Sequence, residues 1–186
     1  MSTSVTLDVS CRRPFADGIA FGEIGAFERL DGVARFTIDP NAPGDVHIVD
    51  LDKAPRNADG LVEYSADFSI IKPVEMSKAN GRIFFDYGNR GNMRAIQFFN
   101  DAPASNDPIA AAHAGNGYLM RRGYVVANCA WQGDLWPGDG RMTINLPVAT
   151  DDGTPITGLV RSEFIVAAPG QACMPLSGRA STRSHP

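Results

Sequence analysis

The sequence predicts a mixed α/β fold, with a β-rich front followed by the first βαβ part of a parallel sheet. Three observations predict it. Val62, Tyr64, Ala66, Phe68 and Ile70 alternate with Glu63, Ser65, Asp67 and Ser69, the period-two pattern of a strand with one wet face. Ile83-Phe84-Phe85 and Tyr124-Val125-Val126-Ala127 are continuous apolar runs, as parallel strands buried on both faces are. A glycine-bearing loop, Gly88-Asn89-Arg90-Gly91-Asn92, follows the first of those runs directly, and strand, glycine loop, helix, strand is a βαβ unit.

The front elements are β-like. Val5, Leu7 and Val9 alternate with polar residues and suit a half-buried strand. Ala26–Leu30 and Val33–Ile38 flank Asp31-Gly32, a type I′ hairpin signal. Asp39–Asp45 is a loop by composition, Val46-His47-Ile48-Val49 reads as a short strand, and Asp50–Gly60 is a polar connection. The alternating strand that begins at Val62 stops at Pro73, which cannot donate to the ladder.

The second part carries the βαβ unit. Asp107 is placed to cap a helix with Pro108 at its first position. Ile109, Ala112, Leu119 and Met120 would form its apolar side, and Gly123 would end it. Gly115 and Gly117 shorten or bend that helix. Thr143–Leu146 and Leu159–Ala167 read as strands joined through Asp151-Asp152-Gly153, and 169–186 is an irregular tail. The boundaries are therefore 1–78, 79–168 and 169–186. Two parallel strands do not finish a sheet, so the chain is expected to be the front part of a longer protein.

Composition narrows the function classes. A 186-residue chain with 44% hydrophobic and 20% charged residues is ordinary for a globular protein that buries a core. A net charge of −4 with no basic cluster argues against nucleic acid as a partner. No apolar run is long enough to cross a bilayer and no signal peptide is read, so a cytoplasmic location is the default. Cys11, Cys129 and Cys173 lack metal or disulfide spacing, and Cys129 reads as a small buried hydrophobe.

No serine lies in G-x-S-x-G, the elbow that exposes a hydrolase nucleophile. Ser177 precedes a glycine but follows no strand, so no catalytic residue is assigned. His47, His113 and His185 define no metal site, and no cofactor is expected. The loop Asn89, Arg90, Gly91, Asn92 sits where sheets of this kind bind ligands, and glycines let backbone N–H groups approach an anion closely. The alternative is a plain βα turn. Trp131-Gln132-Gly133-Asp134 ends the second apolar run at the same sheet edge. It either lines a pocket there or has Trp131 cap the core. His113, on the helix beside the loop, is a further pocket candidate or an ordinary helix histidine.

Several runs together resemble the front half of a little-characterised family of α/β-hydrolase domain proteins. They are Phe21–Leu30, Ala54–Gly60, Val62–Phe68, Asn89–Asn92, Gly115–Tyr124 and Trp131–Asp134, covering roughly residues 15–165. The resemblance implies that residues 81–130 match strand 3, helix A and strand 4 of that fold. It also implies that Asn89–Asn92 occupies the loop that donates one N–H to an oxyanion hole. The implied activity is esterase-like acyl hydrolysis of a small-molecule ester in the complete protein. This chain, which lacks the elbow, is expected to be inactive. The other reading is a non-catalytic, β-rich binding or interaction module.

Overall fold

Strand β3 (Val62–Pro73) is the spine of the sheet, because both of its edges are hydrogen-bonded. The computed structural model describes residues 3–135, 138–159 and 169–170. Of the expected elements, the Leu159–Ala167 strand lies outside these residues except for Leu159, as do Ser177, Cys173, His185 and nearly all of the 169–186 tail.

The described sheet has six strands and is mixed. Strand β1 (Ser4–Pro14) pairs antiparallel with β2 (Phe27–Ile38), and β2 pairs antiparallel with β3 from Phe27↔Pro73 to Ile38↔Val62. Strand β5 (Val125–Cys129) pairs antiparallel with β3, and β4 (Ile83–Asp86) lies parallel to β5 on its far side. The short β6 (Ile144–Asn145) continues the line of β5 along β3, at Ala66↔Ile144. One sheet thus runs from the β-rich front into the βαβ unit.

The Asp31-Gly32 expectation is corrected: both residues lie inside β2, opposite Ser69 and Phe68. A Cβ on Gly32 would sit 2.0 Å from the Asp8 carbonyl oxygen and 3.0 Å from the Phe68 ring, so the glycine serves close strand approach instead of a turn. The register slips between Val9 and Cys11, making Ser10 the extra residue of a bulge facing this pair. Asp152-Gly153, expected within the link from Thr143–Leu146 to Leu159–Ala167, instead turns a short hairpin of its own, with φ of 47° and 81°, between β7 (Thr150–Asp151) and β8 (Thr154–Pro155).

Other expectations shift as well. Strand β1 forms, but no residue on either of its faces is buried. Val5, Leu7 and Val9 are 57%, 51% and 49% exposed, because nothing among the described residues packs on that side of the edge. Val46–Val49 form turns, not a strand, followed by a 3-10 turn at Leu51–Lys53. The wet face of β3 holds only near its start: Ser69 and Ile71 are buried at 1% and 0%, Ile71 in the main core with Leu119 and Met120, and Ser69 beside Arg29, whose Nε donates to its Oγ at 3.0 Å. Strand β4 is an edge strand and is not fully buried. Phe84 packs on the core while Ile83 and Phe85 face outward.

The helix expected from Pro108 to Gly123 forms only in short pieces, a 3-10 turn at Ala111–Ala114 and α2 (Tyr118–Arg121), and a separate helix, α1 (Ala95–Phe99), precedes them. Gly115 and Gly117, at φ of 54° and 66°, break the path, while Gly123 ends α2 as expected. Asn100, fully buried, joins the pieces. Its Nδ2 donates to the Ala114 carbonyl at 3.0 Å, and its Oδ1 accepts from Leu119 N–H at 2.9 Å. The main core, Phe15, Phe21, Phe27, Ile71, Leu119, Met120 and Val126, lies between this layer and the sheet. Among the described residues no helix is long and apolar enough to cross a membrane.

Candidate functional site

Parallel pairing of β4 with β5 puts the chain segments after Asp86 and after Cys129 at one sheet edge. Asp86, the last residue of β4, organises the first of them. Its Oδ1 accepts from Gly88 N–H at 2.8 Å, and its Oδ2 accepts from the N–H groups of Arg94 and Ala95, both at 2.8 Å. One carboxylate therefore folds the glycine loop back on the strand and caps α1.

Inside the loop, Asn92 N–H donates to the Asn89 carbonyl at 3.2 Å, closing a turn with Arg90 and Gly91 at φ of 54° and 76°. A left-handed arginine is costly, and the second segment holds it. Arg90 N–H donates to Gln132 Oε1 at 2.7 Å, and its guanidinium meets both Asp134 carboxylate oxygens at 3.1–3.2 Å. Gly91 is required sterically, since a Cβ there would be 2.5 Å from the Met142 carbonyl oxygen. Its own carbonyl accepts from Met142 N–H at 2.9 Å.

Asn89, Arg90, Gly91 and Asn92 are thus gathered with Trp131, Gln132 and Asp134; Gly133 lies between them and packs on β6. Trp131 is half-exposed and does not cap the core. Its indole N–H donates to the Gly88 carbonyl at 2.8 Å. His113 is not brought to this cluster by any hydrogen bond. Its Nδ1 accepts from Ile109 and Ala110 N–H, both at 3.1 Å, so the ring proton resides on Nε2. It lines a cavity of about 10 Å³ with Met93 and Asn128, whose buried Oδ1 has no hydrogen-bond partner among the described residues. Among the described residues no three His, Cys, Asp or Glu side chains gather to hold a metal ion.

Sequence reading assigned no role to Asp86 or to Asn106. Asn106 Oδ1 accepts from Met93 N–H at 3.1 Å, and its Nδ2 donates to Asn92 Oδ1 at 3.0 Å and to the Asp139 carbonyl at 2.8 Å. An acidic residue closing a strand just before a glycine loop is the one local signal that pointed to the first. A second feature was not anticipated: a groove of about 540 Å³ over β1, β2 and β3. Arg29, only 4% exposed, lies in its floor, bonded to Asp31 at 2.8 Å, to Ser69 Oγ at 3.0 Å and to Asp107 at 2.7 Å. Arg13 reaches the same two carboxylates, at 3.2 and 2.6 Å. Asp107, expected as a helix cap, serves this network instead. Paired acceptors on a buried guanidinium offset its desolvation. Asp67 and Arg141 line the same groove without pairing with each other within 4 Å.

Comparison with protein-family models, with curated proteins and with solved structures finds no match to this chain.

Proposed function

We propose that these residues supply the front of an α/β-hydrolase sheet together with its oxyanion loop, serving acyl hydrolysis of a small-molecule ester. The observation that carries this reading is the glycine loop at the carboxyl end of β4, locked by hydrogen bonds to the segment that follows β5. Ligands of open parallel sheets bind at that edge, and an N–H from the loop after the corresponding strand stabilises the tetrahedral intermediate of acyl transfer. Within the loop, the N–H groups of Gly88, Arg90 and Asn92 already have acceptors. This leaves the N–H groups of Asn89 and Gly91 as the donors for an oxyanion. The nucleophile is not among these residues, since no serine has the elbow sequence. The chain by itself is therefore inactive.

The test is p-nitrophenyl acetate hydrolysis together with fluorophosphonate labelling, on this chain and on the product of the gene's entire reading frame. Labelling and turnover confined to the longer product support the reading. Turnover by the 186-residue chain, or no labelled serine in any product, would sink it.

A non-catalytic binding module is the second reading, and the charged groove favours it. A cooperative melt of the isolated chain that rises with a small polar ligand, with no labelled serine in the longer product, would select this reading.

A further inference from the structure

We propose that β1 pairs through its outer edge with β1 of a second copy of this chain, antiparallel, about a two-fold axis at Leu7. Strand β1 is eleven residues long and lies at the end of the sheet; among the described residues no strand pairs with its outer edge. A free row of backbone N–H and C=O groups is satisfied best by another strand. The features that blunt such edges are confined to one half of β1: the bulge at Ser10, then Arg12, Arg13 and Pro14. The half from Ser4 to Val9 has none of them. Its one charge, Asp8, is held by Arg35 at 2.6 Å across the inner edge.

The sequence of that half selects a second copy over an unrelated strand. Val5-Thr6-Leu7-Asp8-Val9 is near-symmetric about Leu7. Antiparallel pairing there sets Val5 against Val9 of the second copy and Leu7 against itself on one face. On the other face Thr6 meets Asp8, so no like charges oppose each other. The register is isologous and closed, so it ends at two copies at this edge. Val5, Leu7 and Val9, each about half exposed, lie beside Phe36, Ala34 and Gly32 of β2. Pairing therefore extends one apolar stripe across both molecules. A contact this short buries less than the roughly 1,600 Å² of a standard interface, so association is weak and concentration-dependent.

Sedimentation velocity across the micromolar range tests this on the whole chain. A monomer–dimer equilibrium is expected. Leu7→Lys, which sets two ammonium groups together on the axis, should abolish it with the melt unchanged. Val9→Glu should weaken it independently, and Phe85→Lys, on the opposite sheet edge, should leave it intact. A monomer at every concentration overturns the proposal, as does a dimer that survives Leu7→Lys or depends on Phe85.

Discussion

Gln132 Oε1 accepts the backbone N–H of Arg90 at 2.7 Å, so a side chain from beyond β5 fixes the conformation of the loop beyond β4. Replacing Gln132 with Ala leaves that N–H in a half-buried site without its acceptor. The expected cost is about 1 kcal/mol, with faster hydrogen exchange at the Arg90 amide. Asp134→Asn should cost much less, because that carboxylate is exposed and its ion pair is screened. Equal effects of the two changes would contradict this ranking.

Asp86 accepts three backbone N–H groups at 2.8 Å. Asp86→Ala removes all three acceptors together, and about 3 kcal/mol should be lost in urea unfolding. Asp86→Asn keeps one acceptor oxygen and should fall between. A loss below about 1 kcal/mol would mean that the loop and α1 hold themselves.

Asn100→Ala should be among the most damaging substitutions in the helical layer, at about 3 kcal/mol. It strips the Ala114 carbonyl and the Leu119 N–H of their partners in a site with no access to water. Thermal unfolding of the variant measures it.

The two Asp-Gly pairs make a matched test. Gly153→Ala meets no neighbouring atom and strains only φ, for about 1 kcal/mol. Gly32→Ala drives a methyl into the Asp8 carbonyl and should cost several times more, since strands would have to part. A reversed order in the two melts would be incompatible with Gly32 lying inside a strand.

Burial pushes the Cys129 thiol above its ordinary value, and the nearby Asp67 carboxylate adds to the effect. The native state thus prefers the neutral thiol more than the unfolded chain does. The associated stability is fully present below about pH 8.5, the unfolded value, and is lost as pH rises through the higher native value. With Cys11 and Cys173 replaced by Ser, iodoacetamide should alkylate Cys129 with a midpoint above that of a free thiol. A midpoint at or below it would contradict the assignment.

Strand periodicity was legible where one residue's environment extended along the strand, as for Val62, Ala66 and Phe68. It misled where the covering layer changed. Ser69 continues the polar alternation, yet it is buried where the Arg29 guanidinium bonds its hydroxyl. The pair Asp-Gly is a local signal, and it is met by a hairpin turn at Asp152-Gly153, where a Cβ on the glycine would meet no neighbour. At Asp31-Gly32 the approach of β1 and β3 and the ion pairs of Asp31 outweighed it. The glycine loop and Trp131–Asp134 could be placed at one edge because parallel pairing dictates that placement. The groove could not, since Arg13, Arg29 and Asp107 are up to 94 residues apart and meet only through tertiary packing.

The order of the strands in space also sets the order in which they can assemble. Strands β1, β2 and β3 need only one another, through neighbours close along the chain. Strand β4 precedes β5 in the chain, yet its only partner in the described sheet is β5. It has no template until β5 docks on β3, so the two strands join the sheet in one late step. That step closes the long connection holding both helices. Refolding of this protein is therefore expected to show an early three-stranded intermediate in which Asp86 has yet to find its amides.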